Sequence, residues 1–127
     1  MIAGIDHLVL TTADEARCIH FYTQVLGMRL ERFGPGRQAF VFGRQKINLH
    51  VKGHEFEPKA QHPVPGALDL CFIADRPLDD VIGDLAALGE TIIEGPVRRT
   101  GARGPIRSIY LRDPDQNLIE ISEYVDE

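Results

Sequence analysis

The stretch Gly4-Ile5-Asp6-His7-Leu8-Val9-Leu10 recurs in outline at Gly66-Ala67-Leu68-Asp69-Leu70-Cys71-Phe72, and the same offset of 62 residues lays Leu26-Gly27 on Leu88-Gly89. Further along the offset grows to 72 and sets Ile47-Asn48-Leu49 on Ile119-Glu120-Ile121. A chain that repeats itself in this way is two copies of one supersecondary unit, stacked to bury what neither buries alone. The repeat also singles out four polar positions at equivalent places, His7 and Asn48 in the first half, Asp69 and Glu120 in the second.

Residues 5–10, 46–51, 67–73 and 118–122 alternate with the period of two that marks a strand with unlike faces. Leu8, Leu10, Ile47, Leu49, Leu70, Phe72, Ile119 and Ile121 fall on one face, which needs a helical cover. His7, Asn48, His50, Asp69, Cys71, Glu120 and Ser122 fall on the other, too polar a set for a second dry core because an unpaired buried charge is expensive. That face is expected to line a cavity. A first helix over 13–26 follows from Thr12 and Glu15 in capping-box spacing, from Ile19, Tyr22, Val25 and Leu26, and from Gly27 beyond them. A second runs from Pro77 through Leu78, Val81, Ile82, Leu85 and Leu88 to Gly89. Further strands are expected near 28–33, 37–43, 91–94 and 107–112, so each half reads strand, helix, strand, strand, strand. The expectation is an α+β fold of tandem βαβββ modules. Module one covers about 4–52, a Pro- and His-bearing linker about 53–66, and module two about 67–125, within a single domain 1–127.

Size and charge narrow the function. The chain has 127 residues, 43% of them hydrophobic, enough for one core and no second full-sized domain. A net charge of −5 argues against non-specific binding to nucleic acid or to an anionic membrane, so a small molecule is the expected partner. Cys18 and Cys71 are too few for a disulfide scaffold, no basic and apolar export segment opens the chain, and no stretch is apolar for long enough to span a bilayer. Cytoplasmic localisation is the expectation.

His7, Asp69 and Glu120, on inward faces of separate strands, suit one divalent first-row ion per chain, with three protein ligands and open positions. An ordinary ion pair between His7 and a carboxylate is the plainer alternative. His50 offers another set: His7, His50 and Glu120 make the two-histidine, one-carboxylate arrangement of non-haem iron sites. The repeat favours Asp69, whose set also neutralises the ion formally. By alternation Phe40, Phe42 and Tyr110 are expected as aromatic walls of the cavity. The Arg-rich, Gly-rich run 98–107 is expected as a loop that could act as an anion-attracting lid, with Arg103 as the substrate contact. Cys71 reads most simply as a small buried filler.

Three stretches, Ile5-Asp6-His7-Leu8-Val9-Leu10, Phe21-Tyr22-Thr23-Gln24-Val25-Leu26-Gly27-Met28 and Arg112-Asp113-Pro114-Asp115-Gln116-Asn117-Leu118-Ile119-Glu120-Ile121, follow a known pattern. Through them the chain resembles the glyoxalase, bleomycin-resistance and extradiol-dioxygenase group, the vicinal oxygen chelate superfamily, and within it the glyoxalase-domain-containing protein 5 type. The resemblance implies two modules curved around one divalent metal (Mn, Fe, Ni, Co or Zn), helices on the outer face, and a homodimer. His7, Asp69 and Glu120 fall at the family's ligand positions. Asn48 stands where bacterial glyoxalases carry a carboxylate, Asp69 where many members carry histidine, and Gln116 at a usual turn glycine. The implied chemistry draws charge from two neighbouring oxygens of a small oxygen-rich substrate. Glu120 and His50 are then the catalytic candidates, with one of Asp69 and His50 as ligand and the other as general base. Asn48, Phe40, Phe42, Arg103 and Tyr110 are the substrate-contact candidates. A redox-neutral lyase or isomerase step is expected, with a ring-cleaving dioxygenase or a metal-free drug-binding protein as alternatives.

Overall fold

The structure is a computed structural model and describes residues 1–126. It divides into two compact units, one built from Met1–Leu68 with Pro114–Gln116, the other from Asp69–Asp113 with the chain from Asn117 onward. Each holds a four-stranded mixed sheet, and few residues are helical, in keeping with the α+β, tandem βαβββ expectation.

In unit one the strands are β1 (His7–Thr12), β2 (Arg29–Phe33), β3 (Arg37–Phe42) and β4 (Gln45–Val51), in the order β1-β4-β3-β2. β1 runs parallel to β4 and the other pairs are antiparallel. Leu10, Ile47, Leu49 and Phe40 on one face are at most 3% exposed. Their cover is α1 (Glu15–His20) and the π-helical turn Phe21–Val25 that continues it. Tyr22 stacks on Phe40 with ring centroids 5.0 Å apart, and Phe21 meets Tyr22 edge-on at 5.1 Å. The helix starts later than Thr12 and Glu15 suggest. Asp14 is its N-cap, accepting from the Arg17 N–H at 3.1 Å, while the Thr12 hydroxyl donates to Asp115 Oδ2 at 2.6 Å. The Thr12 oxygen in turn accepts the Asp14 N–H at 3.1 Å, and Asp115 Oδ1 also takes the Ala13 N–H at 2.9 Å.

Unit two repeats the plan with β5 (Asp69–Ile73), β6 (Glu94–Thr100), β7 (Pro105–Arg112) and β8 (Leu118–Tyr124), in the order β5-β8-β7-β6. β5 is parallel to β8. The register repeats too: His7 pairs with Lys46 as Asp69 pairs with Leu118, so the two halves carry their polar positions at matching places. α2 (Leu78–Ala87) covers the apolar face, burying Leu78 and Leu85. Its first N–H, from Leu78, donates to Glu123 Oε1 at 2.7 Å, and Asp79 pairs with Arg107 at 2.9 Å. Gly27 and Gly89 lie at φ +77 and +76, the left-handed geometry that glycine adopts most cheaply after a helix.

The run 98–107, expected as a loop, is mostly a hairpin: Arg98 and Arg99 belong to β6, Arg107 to β7, and only 101–104 turn between them. The linker region 53–66 contains no helix or strand. No helix among the described residues is long and apolar enough to cross a membrane.

Candidate functional site

The polar face of unit one is set out in rows by its register. His7 stands beside Lys46 and Val41, Val9 beside Asn48 and Ala39, and Thr11 beside His50. One position on from the Gln38–Leu49 pair, Arg37 comes beside His50 and across from Phe33. Phe40 and Phe42 belong to the other face, opposite Ile47 and Gln45. This corrects their expected place as cavity walls. Phe40 is fully buried against Tyr22, because its register with Ile47 puts it on the apolar face, and a shift of one residue in β3 inverts every side chain.

His7 is partly exposed, and its Nδ1 lies 2.7 Å from Asp6 Oδ1. A carboxylate on one ring nitrogen orients the imidazole and leaves Nε2 for a ligand, which is the support that metal-binding histidines normally have. Asn48 and His50 are 6% and 4% exposed, and Asn48 Oδ1 and His50 Nε2 have no hydrogen-bond partner among the described residues. Each such atom costs roughly 1–3 kcal/mol if left unsatisfied. Desolvation, and then the neighbouring Arg37 charge, hold the His50 imidazole below its ordinary pKa, with Glu55 opposing. His50 lies four residues along the ladder from the position opposite His7, about 13 Å at strand spacing. Two imidazoles standing upright from one sheet do not reach a common ion over that distance.

The matching face of unit two brings Asp69, Cys71, Glu120, Ser122 and Tyr110 together, since Cys71 pairs with Glu120 and Glu120 with Tyr110. Ser122, fully buried, donates to Glu120 Oε2 at 3.3 Å and lies 2.7 Å from Ser108 Oγ. Tyr110 Oη accepts from Arg99 Nε at 3.0 Å, and Arg99 also pairs with Glu94 at 3.3 Å. Cys71 is exposed, not buried filler, and its Sγ lies 3.3 Å from Ser122 Oγ. Desolvation keeps its thiol above the ordinary pKa, helped by Glu120 and Asp69. Arg103 sits in the 101–104 turn with its guanidinium over Tyr124, 4.6 Å from the ring centroid. Among the described residues no three His, Cys, Asp or Glu side chains are grouped as an ion would need.

Asp6, Arg37, Lys46, Phe33 and Phe56 are contributions that sequence reading did not assign. Asp6 could have been suspected from its place directly before His7; the others need the β2-β3-β4 register.

Two mixed sheets of one topology, each presenting a polar face, define a member of the glyoxalase/bleomycin resistance protein/dioxygenase superfamily, and the chain belongs to it: that family's model matches residues 4–121. Among its relatives the chain is similar to virulence protein STM3117 of Salmonella typhimurium, 56% identical over 125 residues that make up 98% of this chain and 87% of that protein. The crystal structure of STM3117 superposes with a TM-score of 0.96 and covers 98% of this chain and 99% of that one. The chain is also similar to glyoxalase domain-containing protein RDO1 of Mycosarcoma maydis, 55% identical over 98% of this chain and 70% of that protein.

Proposed function

We propose that the protein is a metal-dependent enzyme of the glyoxalase type, within the superfamily closest to the glyoxalase-domain-containing protein 5 kind, acting on a small oxygen-rich substrate. His7, Asp69 and Glu120, which are not grouped about one point among the described residues of the single chain, would hold one divalent ion only once two chains pair, so the protein would work as a homodimer with the ion near the subunit interface. The observation that carries this reading is the Asp6–His7 bond at 2.7 Å, which presents Nε2 as a ligand on a face with no apolar reason to hold a histidine. Ser122 steadies Glu120 in the same manner.

When bound, the ion would polarise two adjacent substrate oxygens. The chain's own residues do the rest. His50, buried with Nε2 unpaired among the described residues, is the proposed proton acceptor for a substrate that extends from the ion along the face towards it. Asn48, two residues before it, offers its amide to the substrate. Tyr110, held by Arg99, forms part of the wall beside Glu120. With two carboxylate ligands the site is formally neutral, which favours proton transfer over oxygen activation, so the expected chemistry is a redox-neutral isomerase or lyase step.

Elemental analysis of protein purified without chelators tests the metal. One divalent ion per chain is expected, lost in the double variant His7→Ala, Glu120→Ala together with the thermal stabilisation by added Mn, Fe, Ni, Co or Zn. Unchanged stoichiometry in the double variant overturns the assignment. Oxygen uptake with a catechol, dependent on ferrous iron and abolished by His50→Ala, would instead establish a dioxygenase.

A further inference from the structure

The polar face of unit one carries two cations that form no ion pair among the described residues. The Arg37 guanidinium lies between two rings, 5.5 Å from the centroid of Phe33 and 5.0 Å from that of Phe56, and Lys46 Nζ lies 4.1 Å from the Phe33 centroid. Neither forms an ion pair among the described residues; what sets them apart is that both are held against aromatic rings on one face. Glu31 shares the face from the edge strand without pairing to either, and the nearby Glu55 carboxylate accepts the Gly53 N–H at 3.0 Å and forms no ion pair with Arg37 or Lys46. Asn48 Oδ1, between the cations on the same face, and His50 Nε2, beside Arg37, are buried without partners among the described residues.

A guanidinium clamped between aromatic rings keeps its N–H groups in plane and loses little entropy on meeting a planar anion, which suits bidentate carboxylate recognition. In a chain of net charge −5, two uncompensated cations on one small face are better explained by an external anion than by solvation. We propose that this face binds the carboxylate of a small organic acid, with Arg37 as anchor, Lys46 as second cation, and Phe33 and Phe56 as walls for the acid's apolar body. Asn48 and His50 then meet the polar groups next to that carboxylate. The proposal rests on the enzyme reading above for its purpose and names the substrate class of that site, but anion binding itself requires no metal.

The test is calorimetric titration of the full chain, after chelator treatment, with benzoate and with its neutral analogue benzamide. Benzoate is expected to bind at one site per chain and to raise the melting temperature, benzamide to do neither. Arg37→Lys, which keeps the charge and loses the fork, should weaken benzoate binding at least about tenfold, and Arg37→Gln should abolish it. Lys46→Gln serves as the independent variant should Arg37→Gln fail to fold. Equal binding of benzoate and benzamide, no binding of benzoate up to its solubility limit, or benzoate binding unaffected by Arg37→Lys and Lys46→Gln would overturn the proposal. Because the metal has been removed, failure here leaves the metal assignment standing, and loss of the metal assignment leaves this result standing.

Discussion

Asp6 and His50 show how much one side chain's surroundings change what it can do. The Asp6–His7 pair is exposed, so its removal should cost the fold little, within about 0.5 kcal/mol. Its effect should fall on the metal: Asp6→Ala is expected to weaken ion affinity roughly 10–100-fold, measured by competition with a chromophoric chelator, while the melting temperature of the metal-free protein stays put. His50 acts on stability instead. Its folded pKa lies below the ordinary value of 6.5, so between the two values the unfolded chain binds more protons and stability rises with pH. Acidification from about pH 7.5 to about pH 5 should therefore reduce the unfolding free energy more in the wild type than in His50→Gln, as read by urea titration. Equal slopes would show that burial does not tune this imidazole. His7 and His50 were both legible as polar residues in apolar alternation; that one is partly exposed and oriented and the other buried without a partner depended on neighbours across the sheet.

At the scale of the element, the helical cover of unit one is where sequence reading and structure part. Phe40 was read as a wall of the cavity, yet it is fully buried under Tyr22. Phe40→Ala should accordingly cost about 3–5 kcal/mol, seen as a large fall in the denaturation midpoint, where a wall residue would have altered ligand binding and left the midpoint nearly in place. The Thr12–Asp115 and Ala13–Asp115 bonds tie the start of α1 to the 113–117 turn, a link across about a hundred residues that capping rules do not anticipate. Asp115→Ala is expected to lose about 2–3 kcal/mol, since two hydrogen bonds to a charged acceptor go at once and buried Thr12 Oγ1 is left to the Asp14 backbone. The 98–107 run teaches the same lesson. Four arginines and two glycines suggested a free loop, but Arg99 and Arg107 find acids and a tyrosine, and pairing over β6 and β7 orders them.

For the whole molecule, both units present a partly uncovered sheet face with apolar members: Val9, on the face of His7, is 42% exposed, and Ile73, on the face of Cys71, is 51% exposed. Homodimerisation is expected to cover such surface, and light scattering at micromolar concentration should return twice the mass of 14.2 kDa. A monomeric mass would contradict it. By itself the sequence determined the duplication, the α+β class and the four equivalent polar sites, because two-residue periodicity, glycine-stopped helices and a repeated spacing are local properties of the chain. Tertiary structure alone decided which face Phe40 takes, which carboxylate receives Thr12, and which cations stand beside His50. Those outcomes depend on strand register, where one residue inverts a face, and on charge contacts between segments far apart in the chain, neither of which local pattern encodes.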